Sequence, residues 1–167
     1  MHKFYMGIDN GVTGSIGVVC SDGSFVDYIK MPVNHRLNYT KTIRSVTRID
    51  TMAFEGISVK WPSKVFIERP MVNPGRFQAT LSGIRALEAT LICLERIGNP
   101  YEFLDSKEWQ RVMLPRGIWQ QKKTKTGKTV LKAEPAQLKK ASLDIGKRLY
   151  PGIDFRGDAD GILIAEY

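Results

Sequence analysis

Four carboxylates stand where side chains can do chemistry. Asp9 closes the apolar run "FYMGI", Glu68 closes "VFI", and Asp158 and Asp160 stand just ahead of "GILIA". A residue just beyond a buried strand emerges at the edge of its sheet, so acids far apart in sequence can converge there. Such a cluster would repel itself and hold its protons to unusually high pH unless a hard divalent cation drew it together. Oxygen-only donors suit magnesium, with manganese as a substitute, and on a basic chain the matching chemistry is two-metal phosphodiester hydrolysis. Each acid also has a plainer reading. Asp9 with Asn10 and Gly11 suits a hairpin turn, Glu68 ahead of Arg69 and Pro70 suits a solvated strand end, and Asp158 suits a helix N-cap.

The charge balance points toward a polyanion. The 167 residues carry 25 Lys and Arg against 17 Asp and Glu, a formal charge of +8, and every phosphate neutralised releases counterions. The most basic stretch, 115–132, holds six cations (Arg116, Lys122, Lys123, Lys125, Lys128 and Lys132) beside Trp119 and no acid. It is expected to track DNA phosphates, the alternative being a solvated loop. A second contact is expected from "MVNPGRFQATLS", 71–82, where Met71 and Phe77, with Arg76 beside them, can stack on or wedge between unpaired bases. The alternative is that Phe77 only covers the start of the next helix.

Cys20 and Cys93 lie in apolar runs and read as buried, reduced thiols, while His2 and His35 have no partner at zinc-ligand spacing. Zinc is therefore excluded. No run approaches the roughly 20 apolar residues of a membrane span, and Met1–Tyr5 lacks a signal-peptide core, so a cytoplasmic protein is expected, in the host cytoplasm if viral.

The elements that must position these residues form a mixed α/β sheet in one domain, 1–167. Residues 3–9, 14–20 and 25–31 predict three antiparallel strands, followed by a connection over 32–45 and a helix over 46–59. A fourth strand ends on Glu68, a helix follows over 83–98, and "YEFLDS" supplies a fifth strand whose Ser106 caps a short helix to about Leu114. A helix over 134–149 and a last one from "DADGILIAEY" complete the chain. Three antiparallel strands followed by alternating helices and strands exclude a purely parallel sheet.

In order and flavour, "GIDNGVTGSIGVV", "VFIERP" and "GDADGILIAEY" resemble the three acidic motifs of RuvC-type Holliday-junction resolvases of the RNase H-like superfamily, especially the small phage-type members. The segment around Trp109 and "KKASLDIGKRLYP" are also similar, so the resemblance spans nearly the whole chain. It implies an RNase H-like nuclease fold and a magnesium-dependent crossover junction endodeoxyribonuclease. Asp9 would bridge two ions, Glu68 and Asp160 would hold one or both, and the products would end in 5′-phosphate and 3′-hydroxyl. Lys139 or Lys140 would stabilise charge at the scissile phosphate, unless both merely face solvent. Because four-way junctions are two-fold symmetric, a homodimer is expected, with the apolar "ALEATLICL" helix as its interface.

Two departures stand out. Asn10 occupies a position where the family usually has proline, and the family's further aspartate, three or four residues before the last, meets Gly157 and Arg156 here. Asp158 is the nearest substitute. Two residues apart on a helix is about 200° of rotation, so Asp158 and Asp160 can share a metal only if Asp158 lies at or before the N-cap. The missing aspartate also leaves open a non-catalytic nucleic-acid-binding RNase H-like domain. "GIDNGVTGS" further resembles the first phosphate loop of actin-like kinases and ATPases, a fold whose paired domains need about twice this length.

Overall fold

Alternation along the first strand decides which way everything else faces. In β1 (Phe4–Ile8), Met6 and Ile8 are fully buried on one side, and Tyr5 and Gly7 turn to the other. The computed structural model describes residues 3–37, 45–123 and 126–167. Its central sheet also contains β2 (Ser15–Cys20), β3 (Phe25–Lys30), β6 (Ser63–Glu68) and β7 (Tyr101–Leu104), in the order β3-β2-β1-β6-β7. The first three strands pair antiparallel and the last two join parallel. This is the mixed sheet that the sequence predicts.

Helices cover both faces. Met6, Ile8, Ile16, Val18, Val65 and Ile67 pack against α1 (Thr51–Lys60) and α2 (Phe77–Ile97), with Phe54, Ala86 and Leu94 at the centre. The opposite face is covered by α5 (Asp160–Glu166), α4 (Pro135–Leu149) and α3 (Ser106–Met113), where Trp109, Phe155 and Ile162–Ile164 are fully buried. Strand parity puts Tyr5, Gly7, Phe66 and Glu68 on that second face.

The local readings shift in four places. The stretch 32–45 contains β4 (Val33–Leu37), which pairs antiparallel with β5 (Ser45–Ile49), and the helix begins only at Thr51, after its N-cap Asp50. The β-branched Val46, Thr47 and Ile49 favour the strand over the helix expected there. Helix α2 starts at Phe77, six residues ahead of Gly83, and α3 is capped by Asp105 in a capping box with Glu108 rather than by Ser106. The basic stretch holds β8 (Gln120–Lys123) paired with β9 (Thr129–Lys132). In "ALEATLICL", Ala86, Thr90, Cys93 and Leu94 are buried within the chain, and only Glu88 and Ile92 are exposed. That apolar run is used chiefly by the chain's own core.

Candidate metal centre

Asp9 opens the turn between β1 and β2, its N–H donating to the Ser15 carbonyl (3.0 Å). Gly14 makes the turn tight, since a Cβ there would lie 2.0 Å from the Asp9 carbonyl oxygen. In the parallel pairing of β1 with β6, Ile8 sits opposite Ile67, so Asp9 and Glu68 follow at the same level of adjacent strands. Trp109, fully buried, donates its indole N–H to Glu68 Oε2 (2.8 Å).

The other two acids arrive on α5, which lies unusually close to the sheet. A Cβ on Gly7 would come 2.2 Å from the Ala165 nitrogen, one on Gly17 would come 2.3 Å from Ile162 Cα, and one on Gly161 would come 2.4 Å from the Ser15 carbonyl oxygen. Three glycines thus permit backbone-to-backbone packing that any side chain would prevent. Just upstream the chain reverses through Arg156 and Gly157, both at positive φ (46° and 79°), and the Tyr28 hydroxyl lies 2.7 and 2.5 Å from the Phe155 and Asp158 carbonyl oxygens. Asp158 consequently stands before the helix, with Ala159 at the N-cap. Its Oδ1 accepts from the Asp160 N–H (3.1 Å), so it supports the first turn while remaining outside it.

One oxygen from each of Asp9, Asp158 and Asp160 lies within 4.8 Å of the others. Charge is balanced by two lysines. Lys139 on α4 donates to Asp158 Oδ1 (2.9 Å) and Asp160 Oδ2 (3.1 Å), and Lys30 donates to Asp158 Oδ2 (3.0 Å) and the Thr13 carbonyl (2.9 Å). Ser142, one turn along α4, hydrogen-bonds Asp160 Oδ1. Burial, then repulsion from Asp158 and Asp160, pushes the Asp9 carboxyl up to about 7. Burial, then Asp9, pushes Glu68 up to about 8 against the lowering effect of the Trp109 N–H. At Asp158 burial acts upward, but Lys139 and Lys30 prevail and hold the group below its ordinary value. Lys139, although burial acts against its charge, is held above the usual lysine range by Asp160, Asp158 and Asp9.

These donors fit a divalent cation. All are carboxylate oxygens, they converge from three separate elements, and burial, then mutual repulsion, raises Asp9 and Glu68 to near-neutral or higher pH, which a cation would reverse. Asp9, Asp158 and Asp160 can share one ion, with Glu68 beside Asp9.

The remaining predicted residues lie elsewhere. Lys140, about 100° around α4 from Lys139, lines a separate cavity with Pro115, Ile118 and Asp144. Met71 and Phe77 are 74% and 65% exposed, and Arg76 is exposed beside them, with Phe77 the first residue of α2. Arg116 is exposed in a single 3-10 turn, Trp119 is half-buried, and Lys123, Lys128 and Lys132 are exposed on or beside the β8–β9 hairpin. Lys122 pairs with Glu134 (2.5 Å), and Lys125 lies outside the described residues. Asn10 ties the turn that Asp9 opens to α2 by donating to the Gly83 carbonyl (3.3 Å). Lys30, Ser142 and the indole N–H of Trp109 are absent from the sequence reading. Only the "W" and "KKAS" segments hinted at the last two, because hydrogen bonds across many residues leave no periodic signal.

The comparison with solved structures decides the architecture. A T. thermophilus RuvC in complex with Holliday junction substrate superposes with a TM-score of 0.61 at 13% identity, over 98% of this chain and 90% of that one. The chain has the RuvC fold. A second Thermus thermophilus RuvC structure superposes on the same fold with a TM-score of 0.50 at 12% identity, over 97% of this chain and 90% of the other. No family model matches the chain, and no curated protein matches it. The RuvC likeness is one of fold, and the carboxylate cluster is read from this chain's own residues.

Proposed function

We propose that the chain is a metal-dependent, structure-selective endodeoxyribonuclease that cuts Holliday junctions and other branched DNA, its 167 residues acting as one nuclease domain. The observation that carries this is the convergence of Asp9, Asp158 and Asp160, with Glu68 alongside, on one edge of a RuvC-fold sheet. A T. thermophilus RuvC of the same fold was solved with Holliday junction substrate, which supports branched DNA as the substrate class.

Asp9, Asp158, Asp160 and Glu68 would hold magnesium, or manganese in its place. Two such ions, when bound, activate water and stabilise the leaving 3′ oxygen, giving 5′-phosphate and 3′-hydroxyl ends. The protein's own part is positional and electrostatic. Asp9 would be the shared member, since it lies beside Asp158, Asp160 and Glu68. Trp109 keeps one Glu68 oxygen engaged, and so fixes the direction of the other. Ser142 does the same for Asp160. Lys139, tethered between two acids and half exposed, brings positive charge to where a scissile phosphate would lie. Met71, Arg76 and Phe77 beyond Glu68, and Arg116, Trp119 and the lysines Lys122, Lys123, Lys125, Lys128 and Lys132 of the basic stretch, are the proposed DNA contacts, and a homodimer would address both strands.

Cleavage of a synthetic four-way junction, a flap and a linear duplex with magnesium or manganese tests the reading. Asp9→Asn and Glu68→Gln are each expected to lower cleavage at least a thousandfold while junction binding is kept or improved, because a negative charge has been removed. Near-normal cleavage by either variant would remove the metal site.

A further inference from the structure

We propose that the groove between the β4–β5 hairpin and α2 receives the phosphate backbone of a DNA arm leaving the candidate active site, an inference that rests on the branched-DNA reading above. Between Asp27 and Asp50 the sequence contains no acid, but it contains Lys30, His35, Arg36, Lys41, Arg44 and Arg48. It is a second basic stretch, separate from 115–132. In the hairpin register Arg36 opposes Val46 and Arg48 opposes Asn34, so the two arginines share one face as diagonal neighbours. That face borders a cavity of about 660 Å³, whose other wall is the Gln78, Ser82 and Arg85 side of α2. Arg36, Arg48 and Arg85 are all exposed, and Glu88 is the one acid in the lining.

Position as well as charge suits a nucleic-acid arm. Val12, from the turn that Asp9 opens, lines the same groove, and Asn10 of that turn is bonded to Gly83 of α2. The groove therefore starts at the catalytic turn and runs along α2 and the hairpin. Guanidinium groups beside Ala86 and Ala89 of α2 match a phosphate backbone, which takes bidentate donors and needs no base contact. The Asn34, Gln78 and Ser82 side chains add neutral hydrogen-bonding groups along the way.

Equilibrium binding of the full chain to a four-way junction over a salt series tests the proposal, with Asp9→Asn in every protein to prevent cutting. Arg36→Ala with Arg48→Ala is expected to weaken binding about tenfold or more and to reduce the slope of log K against log salt by about 1.8, two phosphate contacts. Arg36→Lys with Arg48→Lys should keep the slope, and sedimentation should show the same assembly for all. Unchanged affinity and slope in the double alanine variant would overturn the proposal. So would a changed assembly with an unaltered slope, which would make the groove a contact between copies. The two readings fail differently. If the parental protein binds junctions no better than linear duplex, branch selectivity fails while the arginine slope still judges the groove. If it prefers junctions and responds to Lys122→Ala with Lys123→Ala but not to the arginine pair, the groove alone fails.

Discussion

Burial, and then repulsion from neighbouring acids, disfavours the charged forms of Asp9 and Glu68, and the consequence is measurable without substrate. Both carboxyls have folded-state values, about 7 and about 8, above those of ordinary acids. Between pH 4 and 8 the folded state accordingly binds more protons than the unfolded state, and the slope of unfolding free energy against pH is negative. Metal-free protein should lose stability on the order of 6 kcal/mol from pH 5 to pH 8. Thermal melts should show the loss shrinking in Asp9→Asn and on addition of magnesium; a flat profile would show that these groups ionise normally. Trp109→Phe should keep the ring packing and lose the one N–H that holds Glu68. Stability should fall by about 0.5–1.5 kcal/mol, and the magnesium concentration for half-maximal cleavage should rise about 10–100-fold, as for other residues that orient metal ligands. A metal requirement equal to wild type would make Trp109 a packing residue only.

Among the elements, α5 is the one whose placement makes the site. Its seven residues carry Asp160 and follow Asp158, and five of them are buried. Its distance from the sheet is set by Gly7, Gly17 and Gly161 rather than by interlocking side chains. Gly17→Ala would place a methyl 2.3 Å from Ile162 Cα, and backbone cannot yield as a flexible side chain does. The helix should be displaced, at about 1–3 kcal/mol or more. Manganese affinity, measured on protein still folded at low temperature, should fall together with melting temperature, because Asp158 and Asp160 move with the helix. An unaltered affinity in a destabilised protein would separate the packing from the site. A Gly56→Ala control on α1, where a Cβ would meet nothing within 4 Å, should leave manganese affinity unchanged and, because alanine favours a helix interior, raise stability by about 0.5–1 kcal/mol.

For the whole molecule, the two-fold symmetry of a four-way junction calls for two active sites, and α2 offers exposed Ile84 for contact between copies. Ile84→Glu should convert a sedimenting dimer to a monomer and uncouple the two nicks; a wild-type monomer that still cuts both strands together would refute the dimer. Much of this molecule was determined by the sequence alone. Short apolar runs around Met6, Ile8, Ile16 and Ile67 name the core strands, because strands covered on both faces read as continuous apolar stretches, and the acids stand at the ends of those runs. The helical stretch of α4 was legible from the spacing of its apolar residues. The boundary at 45–51 was not, because β-branched residues at near-helical spacing suit either element until pairing with β4 decides. Whether Asp158 could join Asp160 also lay beyond sequence. It depends on a reversal at Arg156 and Gly157 that leaves Asp158 outside the helix, and on Tyr28, far away in the chain, to hold that reversal. The Trp109 bond to Glu68, the Lys30 and Lys139 bridges and the groove shared by a hairpin and a helix likewise arise from contacts across 19 to 128 residues. Spacing along a chain encodes which face a residue takes on its own element; only packing decides what that face meets.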